Sequence, residues 1–353
     1  MGVSLNALLA ISVLWGFIFI YAFMATMDFG AGFWSMLYIK SQKTKATSIA
    51  NRYLSPTWEV TNVFIVAIVV ALFSFFPGAT FILGTVLLIP GSIILILLAI
   101  RSGFLVFSHV AKKYHNALTY ISGISGFIIP AFLISVLPVT HGGYIEIVNG
   151  VHQLQFSKLL TSPNILSFVG FAISSTLFLS ALLLADYSVN LAKDLDAYRV
   201  YRRDALITGP ISLIMAFFIM LTLKSEASWI YLNMMNYIPY LIGSVIMFIV
   251  AGAALFFPSR KHKGVIGRPR LAMIAIVIQY LLASYAYGRA HLPYMIYPDV
   301  TLDAGFTHPN TFKALFISYI VGFIILFPGF IFFWNMFMKD NRELKENDSS
   351  RPE

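Results

Sequence analysis

Apolar runs recur along the whole sequence, each about 18 to 25 residues long, the length a helix needs to cross roughly 30 Å of hydrocarbon. They are continuous rather than alternating, which excludes a strand barrel. Of the 353 residues 59% are hydrophobic and only 11% charged. A soluble domain is about a quarter charged, so this chain cannot clothe itself in polar surface. It reads as an all-α polytopic membrane protein. Nine spans are expected: Leu5–Met27, Trp58–Phe76, Phe81–Ser102, Leu118–Leu137, Ile165–Ala185, Ala205–Leu223, Tyr240–Phe257, Leu271–Tyr287 and Phe312–Met336. Pro77–Thr80 forms a tight turn between the second and third, because Pro77 and Gly78 break helices. The first run lacks a charged leading region and a small-residue cleavage site, so it is expected to be retained.

The net charge of +9 is distributed in a way that argues against nucleic acid as a partner. Lys and Arg crowd into alternate connections: Lys40 to Arg52, Lys112 and Lys113, Lys193 to Arg203, Arg260 to Arg270, and the tail after Met338, with Arg101 at the same face. Only Lys158, Lys224, Arg289 and Lys313 lie elsewhere. The positive-inside bias then places the N-terminus outside and the C-terminus in the cytoplasm, a parity that needs an odd number of spans. The tail Lys339–Glu353 is charged and aperiodic, as a disordered cytoplasmic end would be.

Cysteine is absent, which removes disulfides, thiolate ligands and thiol nucleophiles. No phosphate-binding loop, dinucleotide fingerprint or His-Glu-x-x-His pattern occurs. The histidines fall mostly in loops or at helix ends, and only His291 comes near the position a haem ligand would need. The outer connections Val139–Pro163, Ser225–Pro239 and Ile296–Asn310 read as interfacial loops with aromatic anchors such as Trp229 and Tyr231.

Carboxylates at the edge of a membrane are costly unless paired or wetted, which makes Asp28 and Glu59 the leading candidates. Asp28 ends the first span in Met27-Asp28-Phe29-Gly30-Ala31-Gly32, whose glycines let a neighbour approach closely. It could relay protons, pair with a cation or cap backbone N–H groups. Glu59 follows Pro56 and Trp58 at the start of the second span, where an acid meets the positive end of a helix dipole. Asn62, three residues on, shares its side and points an amide into a span. The two spans run antiparallel, so Asp28 and Glu59 lie at the same face and could form a polar cluster with Asn62 that admits water and protons. Arg101, ending the third span, shares that face and could pair with them or snorkel. Asp186 ends the fifth span at the same face. Arg289 ends the eighth on the other side, to snorkel or to pair with Asp299 or a partner subunit.

These residues resemble the subunit II family of cytochrome bd type quinol oxidases. Its glycine-rich aspartate motif at the end of the first helix is matched by Asp28, Gly30 and Gly32, although Ala25 and Thr26 replace an earlier Asp-Gly pair. Its proline-tryptophan-aspartate motif is similar to Pro56, Trp58 and Glu59, with Asn62 near the amide position. Its Arg-x-Gly-Phe segment is matched by Arg101, Gly103 and Phe104. The resemblance covers essentially the whole chain.

It implies two four-helix bundles, residues 1–138 and 164–298, joined by an external loop at 139–163, with residues 299–338 supplying a further external loop and a peripheral ninth helix, and 339–353 the tail. It implies a chain that binds no haem itself, beside a subunit I that carries haem b and haem d type groups in a prokaryotic plasma membrane. It leaves room for a small single-helix accessory subunit and for a bound quinone or lipid. Glu59, Asp28 and Asn62 become a proton relay from the cytoplasm, and Arg101, Asp186, Arg289 and Trp58 become paired or structural polar residues. A secondary transporter and a purely structural scaffold are the alternatives. Almost uniformly apolar span centres argue against the first, which needs a midplane site.

Overall fold

A computed structural model describes residues 3–40, 45–110, 114–259 and 264–339. The side chains of residues 52–60, 108–110, 115, 330 and 333–339 also lie outside the described set. Helices dominate because a backbone in hydrocarbon must satisfy its own polar groups. The long ones are α1 (Leu5–Leu37), α2 (Ala46–Phe75), α4 (Leu88–Val110), α5 (His115–Thr140), α7 (Pro163–Tyr187), α8 (Leu195–Glu226), α10 (Ile238–Ala254), α11 (Pro269–His291) and α13 (Pro309–Lys339). Short helices α3 (Pro77–Val86), α6 (Phe156–Thr161), α9 (Ser228–Met235) and α12 (Leu302–Gly305) connect them.

Among the described residues seven helices are long and apolar enough to span, and an eighth span arises if α9 and α10, bent by 83°, are taken together. The chain is therefore a multi-pass helical membrane protein. The described part of α2, Thr61–Phe75, is apolar but shorter.

Helix α7 is the axis of the molecule. Within its apolar window 72% is buried, against 6% for α13. Helix α7 packs on α8, α1, α5 and α11, while α1 also packs on α2 and α5, α4 on α5, and α10 on α11. The crossing of α1 and α7 is close because Gly30 has no side chain: a Cβ there would lie 2.0 Å from Ser180 Oγ.

Several expected helix ends are not ends. Helix α1 continues ten residues past Met27, so Asp28 lies inside it. Helix α2 begins at Ala46, well before Pro56, so the reading of Glu59 as a first-turn acid is overturned. Helix α4 runs through Arg101 to Val110. The hydropathy pattern marks the lipid-length core of each helix, but hydrogen-bonded turns continue beyond it. Pro77 does not form a loop either. It opens α3 at a position where a missing N–H costs nothing, and the expected third span is broken at Leu87.

Two hairpins were not foreseen. Strands β1 (Ile145–Val148) and β2 (Val151–Leu154) are antiparallel. Their turn, Asn149-Gly150, has positive φ at both residues, the mirror-image turn that suits strand twist. Strands β3 (Tyr294–Ile296) and β4 (Val300–Thr301) form the second pair. The N-cap of α1 is fastened to α12, just beyond β4: Ser4 Oγ donates to Asp303 Oδ1 at 2.6 Å.

Candidate functional site

Asp28 and Arg101 meet in the interior. They are only 4% and 2% exposed, and Arg101 Nη2 lies 3.4 Å from Asp28 Oδ1. The guanidinium does more than pair. Nη2 donates to the Asp28 carbonyl at 2.8 Å, and Nη1 donates to Ser122 Oγ at 3.0 Å and to the Ser122 carbonyl. Its plane sits over the Phe29 ring at 5.3 Å. One side chain from α4 thus holds α1 and α5 together.

Glycines make the room. A Cβ on Gly32 would lie 2.9 Å from Arg101 Nη1, and one on Gly126 would lie 2.5 Å from the Phe29 carbonyl and 3.1 Å from Nη1. The glycines that the sequence offered as a place of close approach accommodate this guanidinium and, at Gly30, helix α7.

The pair is not fully satisfied. Asp28 Oδ1, Arg101 Nε and the hydroxyl of Tyr21 are buried without a hydrogen-bond partner among the described residues. Their 3.4 Å ionic contact lacks hydrogen-bond geometry. Tyr21, Asp28 and Ser35 recur at seven-residue spacing along one buried side of α1, as residues on one helical face do. Ser35 Oγ donates to Asn51 Oδ1 of α2 at 2.5 Å. One turn on, Tyr38 donates to Asp204 Oδ2 at 2.5 Å, and Arg203 pairs with Asp204 at 2.9 Å. A polar line thus follows α1 from the Arg203 end to Tyr21.

Asn62 is half-buried in α2. The side chains of Glu59 and Trp58 lie outside the described residues. Asp186 is joined to Arg270 at 3.0 Å and accepts from Asn190 at 2.8 Å, tying the end of α7 to the start of α11. Among the described residues Arg289 makes no ion pair with Asp299. It lies over the Tyr237 ring at 5.9 Å, with Nε 3.4 Å from that hydroxyl.

His291 Nε2 lies 3.1 Å from Thr140 Oγ1, and Nδ1 lies 2.8 Å from the Tyr294 carbonyl. His141, just beyond the end of α5, has Nε2 2.5 Å from the Tyr287 hydroxyl. No group of three or more potential metal ligands occurs among the described residues.

Burial pushes the His141 imidazole down to about 3. A histidine that stays neutral in the fold but protonates near 6.5 in the unfolded chain withdraws stability as pH falls below that value. The loss stops growing only near pH 3, where the folded form also takes the proton. At pH 5 the cost is about 2 kcal/mol. His141→Gln is expected to flatten this part of the pH dependence of the unfolding midpoint in detergent, and an unchanged slope between pH 7 and 5 would contradict the assignment.

Fold and site define a multi-pass helical membrane protein in which both partners of one ion pair, Asp28 and Arg101, are buried. Residues 6–337 match the family model described as cytochrome bd terminal oxidase subunit II. A putative cytochrome bd menaquinol oxidase subunit II of Bacillus subtilis (strain 168) is 68% identical over 348 residues, covering 99% of this chain and all of that protein. A chain in the structure of the bd oxidase from Geobacillus thermodenitrificans superposes with a TM-score of 0.80 at 34% identity, covering 96% of this chain and all of that one. The chain belongs to the cytochrome bd terminal oxidase subunit II family. It is a multi-pass subunit of an oxidoreductase complex in a prokaryotic plasma membrane.

Proposed function

We propose that this chain is the haem-free subunit of a quinol:dioxygen oxidoreductase, supporting a haem-bearing subunit I and helping to bring protons from the cytoplasm. The B. subtilis relative is named for menaquinol, and a quinol of that kind is the electron donor this reading assigns to the complex. Haem b and haem d type groups belong to subunit I. In this chain, the engaged nitrogens of His291 and the bonding of His141 to Tyr287 fit packing better than iron ligation. A small accessory subunit and a bound quinone remain compatible with this assignment.

The same reading takes nine spans with the N-terminus outside and the C-terminus inside, the described part of α2 and the bent α9–α10 pair each completing a span. Residues 1–138 and 164–298 then form the two bundles, with α13 at their edge. Its low burial supports that place.

The observation that carries the proton role is the group of three buried polar atoms on Tyr21, Asp28 and Arg101 that lack a partner among the described residues. Such atoms are what ordered water satisfies in protein interiors, and water beside a carboxylate gives a proton somewhere to go. Asp28, Glu59 and Asn62 are the relay in this reading. A competing role has its own support: the contacts of Arg101 to Asp28, Ser122 and Phe29 make the pair a clamp for three helices. Family membership sets the secondary transporter aside.

Asp28→Asn and Glu59→Gln, each in the whole complex, separate relay from clamp. A relay predicts quinol-driven oxygen consumption reduced by about tenfold or more with normal haem absorption, since a placed proton-transfer group contributes at least that much. Full activity in both assembled variants would defeat the relay and leave the clamp.

A further inference from the structure

Two arginines from different helices are fastened to one turn, Leu255–Pro258, which follows α10. Arg202 of α8 donates Nε to the Leu255 carbonyl at 2.9 Å. Arg268, at the N-cap of α11, donates Nε to the Pro258 carbonyl at 2.9 Å. Each guanidinium also lies over a ring of the same turn, Arg202 over Phe256 at 5.7 Å and Arg268 over Phe257 at 5.8 Å.

The backbone locks this arrangement. Gly267, with φ +114°, bonds to the Phe257 carbonyl at 2.8 Å, and Arg268 N–H bonds to the Ala254 carbonyl at 2.8 Å. A Cβ at position 267 would meet the Tyr198 hydroxyl at 2.2 Å, so only glycine fits there.

Two cations fastened to one four-residue turn call for an anion. The ion pairs among the described residues join Arg101, Arg199, Arg203 and Arg270 to carboxylates, and neither Arg202 nor Arg268 takes part. Asp186 is taken by Arg270 and Asn190. The first turn of α11 carries no acidic residue, so its dipole adds positive potential at the same place.

With Nε of each arginine spent on a carbonyl, the Nη edges are left for the ligand, and guanidinium edges match phosphate oxygens. The ligand must also suit its surroundings. Phe256 and Phe257 are 63% and 54% exposed, and the aliphatic surface continues from them along α10 at Ile246 and Ile249 and along α11 at Leu271 and Ile274. A soluble phosphate gains nothing from that surface, whereas acyl chains do.

We propose that Arg202 and Arg268 form a clasp for the phosphate of an anionic phospholipid, whose chains lie along α10 and α11. A zwitterionic headgroup fits less well, because its ammonium faces two unneutralised guanidinium groups. The clasp requires neither the proton relay nor the assigned orientation, since either leaflet could supply the lipid.

The test counts lipids on the intact complex. Native mass spectrometry of the oxidase, extracted from membranes containing phosphatidylglycerol, is expected to show one tightly held phosphatidylglycerol that Arg202→Gln/Arg268→Gln loses. Excess inorganic phosphate should not displace it. Equal retention by the variant overturns the clasp, and displacement by phosphate overturns the lipid in favour of a free anion. If the variant does not assemble, the unaltered complex decides the matter by hydrogen exchange in nanodiscs. Phosphatidylglycerol, but not phosphatidylcholine, should slow exchange at residues 255–258 and 264–271, and equal exchange in both overturns the proposal.

Discussion

Arg101→Gln is expected to leave little or no assembled oxidase in the membrane. The substitution strips a fully buried carboxylate of its counter-charge, a change that costs about 3 to 5 kcal/mol when the remaining charge has no other partner. It also removes donors from the carbonyls of Asp28 and Ser122. Set against total stabilities of about 5 to 15 kcal/mol, that loss is enough to empty the folded state of a marginal subunit. Asp28→Asn should be milder, since Arg101 keeps its carbonyl acceptors and its place over Phe29. The two residues share one network, so the double variant Asp28→Asn/Arg101→Gln should be less damaged than the sum of the single losses. Haem absorbance per unit of membrane protein, with the unfolding midpoint of the solubilised complex, reads all three. An Arg101→Gln complex that accumulates and melts like the unaltered one would show that the clamp is not structural.

The residues of this pair were candidates in the sequence for a physical reason: charge within or beside a lipid-length apolar run needs compensation, and Arg101 shares a face with Asp28, Glu59 and Asp186, which left its partner open. Their depth was not legible. Hydropathy reports where lipid begins, whereas α1 and α4 continue as helices well past Met27 and Ser102. Pro56 suggested a start for α2 that lies inside it, since the helix already begins at Ala46. The polar partners along α1 were hidden by distance in sequence: Asp204 is 166 residues from Tyr38, and no local pattern joins them. Tyr21 left a usable signal, since Tyr21, Asp28 and Ser35 share one helical face. The break in the third expected span had one too, in Pro90 just after Leu87, at a position where proline suits a helix start better than its middle. The bend between α9 and α10 is similar, with Pro239 in the first turn of the second helix.

Gly30→Ala should be nearly as damaging as loss of Arg101, although it adds only a methyl group. The new Cβ would lie 2.0 Å from Ser180 Oγ, 2.3 Å from Ser180 Cβ and 2.9 Å from the Thr176 carbonyl. A flexible side chain could turn away, but the Cβ and the carbonyl are fixed to the α7 backbone, so the helices themselves must part. Overpacking in a dense interior costs typically about 1 to 3 kcal/mol, occasionally more, and a clash with backbone belongs at the upper end. Parting α1 from α7 would also pull Trp34 Nε1 from Ser180 Oγ, its acceptor at 2.9 Å. Ser180→Gly tests this account by removing two of the three clashing atoms. Alone it should destabilise modestly, by about 1 kcal/mol for the lost hydrogen bond and a similar amount for glycine inside a helix. Combined with Gly30→Ala it should recover part of the assembled complex that Gly30→Ala loses, leaving the Thr176 carbonyl as the residual obstruction. The damage of the first substitution would then be relieved by a second that is harmful by itself, a sign reversal that generic destabilisation does not produce. Haem content of membranes carrying the four sequences reads it directly. Normal assembly of Gly30→Ala, or a double variant worse than either single one, would mean that α1 and α7 do not cross at Gly30 as closely as described.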